Sequence, residues 1–382
     1  MRFACVEYTT KSGYIWRPTP ERPNYLCNHQ TEIDATSYGT WTSALNGEHV
    51  PVTWFHDGKP GPAVGEKLPI KTRISMRLNQ RRERPILSFD NLSYVENFDV
   101  MLVCFHFYGY RMMTDFLVEA KGRFPNTVFL GTHAVFSLGR LREYWTNKDL
   151  FSHLQRFMNE CDIFTIANPE AVDYFGLLTD TPVVYFPQFY PVSFAGQHFK
   201  GPEAKEKIIF VAGSTARNDI TWSCMLAVQL QKSFPDYVIQ IVGSQSFNYA
   251  ALQYAKYEIL PYMSWDEYLE VTSRAKLILN TDVGWTNGRA QSDAAVVGTP
   301  CIGSNAGRQT ELFPDLACRD VEDTAKALSL GAKLIEDDVF YEAVASKALH
   351  TLERWSYESG PPRLVDLVNK FKTNKLSELA LV

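Results

Sequence analysis

Among 382 residues there is no Cys-x-x-Cys pair, no Asp-x-Asp, no Gly-x-Gly-x-x-Gly and no Gly-x-x-x-x-Gly-Lys-Ser/Thr. Each absence removes a class. Without paired cysteines there is no zinc ribbon, and seven scattered cysteines make no disulfide framework. Without the glycine fingerprints neither a dinucleotide site nor a P-loop is legible. No Gly-x-Ser-x-Gly elbow argues for a serine hydrolase. His, Cys, Glu and Asp show no ligand spacing, so neither metal nor cofactor is expected. No apolar stretch approaches the ~18 residues that a membrane span needs. Met1–Val6 is too short for a signal peptide, and unpaired cysteines favour a reducing, cytoplasmic setting. The formal net charge of -5 gives no global push toward nucleic acid or membrane.

What is present is a globular balance, 45% hydrophobic and 21% charged, in a chain long enough for two cores. Short apolar runs alternate with amphipathic stretches, which reads as βαβ units and parallel sheet. In the first half, strands are predicted at Arg2–Val6, His49–Phe55, Val100–Phe105, Thr127–Gly131, Ile163–Ile166 and Val183–Phe186. Helices are predicted at Arg111–Lys121 and Asn147–Cys161, and another opens at Pro169 behind an Asn168 cap. A second series has strands at Lys207–Ala212, Tyr237–Val242, Lys276–Asn280 and Thr299–Gly303. Its helices are Trp222–Phe234, Trp265–Arg274, Gln291–Val297 and Val321–Ile335. The aperiodic Tyr190–Lys205 reads as a linker. Val339–Lys372 reads as helical, interrupted at Gly360-Pro361-Pro362. Two such α/β halves predict a cleft lined by loops at the carboxyl ends of the strands.

The chemistry-bearing stretches lie at those strand ends. After a strand closing near Asn280, a loop through Asn287 and Gly288 leads into a helix starting near Arg289. A helix start offers backbone N–H groups and a favourable dipole to a phosphate, and Gly288 lets it approach closely. Asp293, one turn further, is placed to accept from ribose hydroxyls. A plain αβ connection explains the same residues. Gly213-Ser214 and Arg217 follow the strand at Lys207–Ala212, and Arg217 can present a forked cation to a diphosphate. Pro261-Tyr262 precede a helix capped by Ser264, whose first turn holds Asp266 and Glu267; that loop can hold a flat base. His133 closes the strand ending in Phe129-Leu-Gly-Thr-His, and His106 ends the preceding one; either can contact an acceptor or a departing phosphate. Between Lys59 and Arg84 eight cations (Lys59, Lys67, Lys71, Arg73, Arg77, Arg81, Arg82, Arg84) face only Glu66 and Glu83. A solvated face explains such a run, and so does an anionic acceptor.

Taken in order, these pieces resemble the GT-B glycosyltransferases, especially the retaining group built like glycogen synthase. Asn46-Gly-Glu-His-Val-Pro-Val52 resembles the family's G-H-x-V-x-V strand entry. Thr132-His133 resembles its T-x-H strand end, without the spacer residue. Phe186-Pro-Gln-Phe-Tyr190 stands where the family has I-P-N-G-V/I-D. Phe210–Arg217 resembles its x-x-G-R turn. Tyr268–Asn280 resembles L-x-x-x-Y-x-x-A-D-x-x-x-x-P, and Gly288–Pro300 resembles G-x-x-x-x-E-A-x-A-x-G-x-P, which Glu311-Leu312-Phe313 continues. Of the family's two glutamates eight apart, the second falls at Asp293 and the first at Trp285, which carries no carboxylate. No lysine follows Arg217 until Lys232.

The resemblance implies two Rossmann-like domains facing a cleft: residues 1–195 for the acceptor, 196–355 for the nucleotide-sugar, and 356–382 crossing back to the first. It implies metal-independent transfer of a sugar from a nucleotide diphosphate, uridine being the prior. The diphosphate is then held by Arg217, the Gly288 turn and the helix start, with Gly213, Ser214, Asn287 and Arg289 around it. Pro261 and Tyr262 hold the base, Asp293 the ribose, and His133 the donor sugar or acceptor. The acceptor itself is left open among glycan, lipid and modified nucleic acid. Rivals are a phage-type DNA-glucosylating enzyme, a nucleotide-sugar 2-epimerase, and a non-catalytic nucleotide-sugar-binding protein, the last prompted by Trp285.

Overall fold

A computed structural model describes residues 1–8, 39–57, 89–106, 109–133, 144–212, 220–242, 252–281, 285–304 and 306–374. The chain divides into two compact units. Unit 1 comprises residues 1–166, 171–189 and 360–382; unit 2 comprises 167–170 and 190–359. The main boundary therefore falls at Phe189/Tyr190, a few residues before the expected 195, and the last segment begins at Gly360.

Unit 1 is built on a six-stranded, all-parallel sheet of order β2-β1-β3-β4-β5-β6. Its strands are β1 (Phe3–Glu7), β2 (Glu48–Pro51), β3 (Val100–Phe105), β4 (Val128–His133), β5 (Ile163–Ile166) and β6 (Val183–Tyr185). β3 and β4 are buried along their whole length, as expected for central parallel strands covered on both faces. The helices are α1 (Gly39–Ala44), α2 (Val52–Asp57), α3 (Tyr110–Arg123), α4 (Lys148–Glu160) and α5 (Val172–Gly176). Asn147 caps α4 by accepting from the Leu150 amide at 3.2 Å. Leu150, Leu154, Phe157 and Met158 then form its buried stripe. The chain leaves β2 after Pro51 and turns into α2, where a strand through Phe55 was expected. Pro169 opens only a single 3-10 turn before α5, although Asn168 does accept from the Glu170 amide.

Unit 2 has a five-stranded parallel sheet of order β11-β10-β7-β8-β9. The strands are β7 (Glu206–Val211), β8 (Val238–Val242), β9 (Tyr257–Leu260), β10 (Ala275–Asn280) and β11 (Cys301–Gly303). Besides a single helical turn at Val192–Ala195, inside the stretch expected as a linker, the helices are α6 (Thr221–Ser233), α7 (Trp265–Arg274), α8 (Arg289–Val296), α9 (Gln309–Leu312), α10 (Thr324–Glu336) and α11 (Asp338–Glu353). α7 carries the expected reciprocal cap. Ser264 Oγ accepts from the Glu267 amide at 3.3 Å, and Glu267 accepts from the Ser264 amide at 2.8 Å. Lys276 sits on the buried β10 because its ammonium lies 4.6 Å from the Tyr341 ring centre and donates to Asp338 at 2.8 Å.

The last helix, α12 (Gly360–Lys372), belongs to unit 1. Gly360-Pro361-Pro362 begins this helix, where an interruption was expected; the actual break is Arg354–Ser359. Proline is at home in a first turn, whose amides have no helical partner. Among the described residues six cysteines are buried and free, as expected for scattered core thiols. Among the described residues no helix is long and apolar enough to cross a membrane. The basic run Lys59–Arg84 and the turn Gly213–Arg217 lie outside the described residues.

Candidate functional site

In unit 2 the first strand, β7, lies in the interior of the sheet. The chain steps outward through β8 to the edge strand β9, then returns to β10 on the other side of β7. Such a reversal leaves a crevice between the loops that follow the two central strands, and open parallel sheets bind ligands there. Two stretches singled out in the sequence follow those two strands. Gly213, Ser214 and Arg217 come after β7, and Asn287, Gly288 and Arg289 come after β10. Pro261 and Tyr262 follow β9, two strands away, with Tyr262 half-exposed. Just past the carboxyl end of β10, the Ser223 hydroxyl of α6 is 2.7 Å from that of Thr281 and accepts from the Thr281 amide at 3.1 Å. This pins the start of α6 to the end of β10.

Gly288 is the residue before α8, with φ +68°. A Cβ built on it would stand 2.1 Å from the Gly307 carbonyl oxygen, so the loop after β11 lies directly against it. Gly307 is itself left-handed at φ +59°, and Arg308, a non-glycine, follows at φ +69°. Arg308 is held there by burial and by its partners. Its Nε is 2.6 Å from Glu311 Oε2, and Nη1 donates to Ser292 on α8 at 3.4 Å. Glu311 Oε1 accepts from Trp355 Nε1 at 2.8 Å. Glu170 accepts from the Thr310 hydroxyl, and burial, with Glu311 nearby, raises its carboxyl above the usual range. Glu170 and Arg308 have no local signal in the sequence that marks them for this place.

Asp293 lies inside unit 2, its side chain 3% exposed. Oδ1 accepts from Tyr190 Oη at 2.5 Å, Trp265 Nε1 at 3.0 Å and Arg289 Nε at 2.9 Å; Oδ2 lies 3.0 Å from Arg289 Nε. The Arg289 guanidinium also lies 4.7 Å from the Trp265 ring centre. Burial pushes the Tyr190 phenol up, with the Asp293 carboxylate beside it adding to the shift, so the hydroxyl remains a donor. Thus Asp293 and Arg289 come together, with the Asp293 carboxylate enclosed by protein donors.

In unit 1, His133 is the last residue of β4, paired in register with Phe105 of β3. It is buried, its Nε2 is 2.5 Å from the Tyr144 hydroxyl, and rings of Phe105, Tyr144 and Phe175 surround it at 5.8, 5.4 and 6.4 Å. The reversal in this sheet lies between β1 and β3. There Gly109, left-handed at φ +83° before α3, packs on Tyr8, leaving 2.2 Å for a Cβ. His106 leaves β3 on this side, half-buried. His49 of β2, fully buried, meets Glu7 at 2.7 Å, a pair the sequence did not announce.

No family model and no curated protein matches the chain. Solved structures do. Sucrose-phosphate synthase from Thermosynechococcus elongatus aligns at TM-score 0.56 and 13% identity, over 86% of this chain and 84% of that one. The trehalose-6-phosphate synthase OtsA aligns at 0.61 and 9% identity, over 96% and 99%. TarM aligns at 0.53 and 14% identity, over 73% and 57%. The fold is the GT-B fold. Its two parallel-sheet units agree with the expected pair of Rossmann-like domains.

Proposed function

We propose that this chain is a glycosyltransferase that takes a hexose from a nucleotide-diphosphate donor held by unit 2. The carrying observation is that β7 and β10, the strands flanking the sheet reversal, are followed in sequence by Gly213–Arg217 and by Asn287–Arg289, residue types that suit a diphosphate. Support comes from the fold shared with sucrose-phosphate and trehalose-phosphate synthases.

On this reading the start of α8 offers N–H groups and dipole to the diphosphate, while the missing side chain at Gly288 lets the loop at Gly307 close against it. Arg217 supplies the forked cation, and Ser214, Gly213 and Asn287 line the approach. Charge building on the departing nucleotide is met by these fixed groups, without a metal ion. Asp293 acts through Arg289, whose guanidinium it orients, and not through the ribose contact expected of it, because protein donors enclose its oxygens. Pro261 and Tyr262 receive the base. His133, set by Tyr144, serves the donor sugar or the acceptor. Uridine is the first base to try: one TarM structure holds UDP, and one trehalose-phosphate synthase is described as UDP-forming.

The test is a thermal-shift screen of UDP, GDP, ADP, CDP and TDP and their sugar conjugates, with wild type beside Arg217→Ala. A ligand at 100 times its dissociation constant adds about 2.7 kcal/mol, a shift of about 2–4 °C in a chain of this size. The expected result is a shift with one nucleotide family, lost in the variant. No shift with any of them removes the donor site from this chain.

A further inference from the structure

Unit 1 carries a tryptophan that its core does not use. Trp145 is 59% exposed, whereas Trp41, Trp222, Trp265 and Trp355 are buried and Trp54 and Trp285 half-buried. Leaving an indole in water forgoes its burial free energy, about 25 cal/mol per Å². Yet the ring is fixed on two sides. It stacks on Phe151 of α4, with centroids 5.2 Å apart and planes at 28°, and its Nε1 donates to the Tyr174 hydroxyl at 3.0 Å. A surface aromatic immobilised in this way has already lost the rotamer freedom that a ligand would otherwise have to remove.

Its place in the fold is the ligand-binding end of the sheet. β4 ends at His133 and α4 starts at Lys148 and runs back, so Tyr144–Thr146 lies beyond the carboxyl end of β4. Tyr174 belongs to α5, which follows the carboxyl end of β5. The residue before Trp145 is Tyr144, whose hydroxyl meets His133.

We propose that Trp145, with the Tyr174 hydroxyl at its edge, is a saccharide-binding platform on which a pyranose ring of the acceptor stacks through its C–H face. The flat open side of the indole suits a sugar ring, and the phenol beside it suits the ring's hydroxyls. A nucleic-acid strand would need cations interleaved with the aromatic rings. Here the segments 144–149 and 172–176 carry one cation, Lys148, against Asp149 and Asp173, and the nearby Arg111 is taken up by its ion pair with Asp149 at 2.8 Å. The acceptor role rests on the transferase reading above; saccharide binding at Trp145 does not.

The experiment is a glycan array probed with the labelled full chain as wild type, Trp145→Ala, Trp145→Phe and, as control, Tyr254→Ala, a fully exposed ring of unit 2. Wild type is expected to bind a subset of glycans. Trp145→Ala should lose at least about tenfold in affinity, and Trp145→Phe about threefold or less. Tyr254→Ala should bind like wild type, and the strongest glycan should quench tryptophan fluorescence only where Trp145 is present. Absence of any bound glycan, or equal binding by Trp145→Ala, overturns the proposal. So does quenching by an oligothymidine strand in place of glycans. UDP-induced thermal shifts measured on the same variants separate the two readings: Trp145-dependent glycan binding without any nucleotide shift would sink the donor site and leave the platform standing.

Discussion

Gly288 and Gly307 touch backbone to backbone, each in the left-handed region, at the place where the loops after β10 and β11 meet the start of α8. Only 2.1 Å separates a Cβ on the first from the carbonyl oxygen of the second. Two loops are thereby locked together without a side chain between them.

Gly288→Ala should therefore be severe. A left-handed alanine costs about 1–2 kcal/mol, and overpacking adds about 1–3 kcal/mol. Urea denaturation should show both, and the variant should lose any nucleotide-induced thermal shift. Gly122→Ala is the comparison: it sits in α3 with nothing within 4 Å of the new methyl. It should gain about 0.5–1 kcal/mol. Equal stabilities for the two variants would sink the argument.

Asp293→Asn tests the enclosed cluster. It leaves the Arg289 guanidinium beside Trp265 without its carboxylate, and should cost about 3–5 kcal/mol. Tyr190→Phe leaves Asp293 Oδ1 two donors and should cost about 1–3 kcal/mol. A double-mutant cycle in urea should show coupling of about 0.5–3 kcal/mol. Independent, additive losses would mean that the two side chains do not act on each other.

Lys205 gives a pH dependence. Its Nζ donates to the Ser273 and Val297 carbonyls at 2.8 and 3.1 Å and to the Thr299 hydroxyl at 2.8 Å. Burial, with Lys200 and Lys276 adding repulsion against the pull of Glu203, lowers it from 10.5 to about 7. Between those values the unfolded chain holds a proton that the folded chain does not, so this group's contribution rises with pH across that window and is flat below it. The slope is at most about 1.4 kcal/mol per pH unit. Denaturation midpoints of wild type and Lys205→Met, taken from pH 6 to 9.5, should diverge in favour of wild type as pH rises. Parallel curves would show that the three acceptors keep the ammonium charged throughout.

How far the sequence reaches depends on whether a signal is local. β3 is legible end to end because it is an unbroken apolar run between Asp99 and His106, and α7 because Ser264 and Glu267 announce its start. The turn at Gly288 is legible for the same reason: glycine between a strand end and a helix has few other uses. Val52–Asp57 misleads, because a β-branched and aromatic segment of that length fits a strand or a buried helical turn equally well. The enclosure of Asp293 is not legible at all. Tyr190 is 103 residues away and Trp265 28, and neither carries any mark of its partner. Glu170 and Arg308 are hidden likewise, brought to Thr310 of α9 and to Ser292 of α8 only by tertiary packing.

Tyr190, where the chain enters the long segment of unit 2, bridges Ser356, near where it leaves, and its amide donates to the Trp355 carbonyl at 2.9 Å. On the other side of both cuts, Phe189 packs against Gly360 so closely that a Cβ there would fall 2.1 Å from its ring. Each unit thus has its severed ends side by side, and unit 2 is a cassette spliced into unit 1. During synthesis the cassette has all of its own residues before α12 exists, whereas unit 1 waits for those final turns to cover Phe189. Nascent unit 2 should mature first, and truncation before Gly360 should leave it intact while unit 1 stays unfinished.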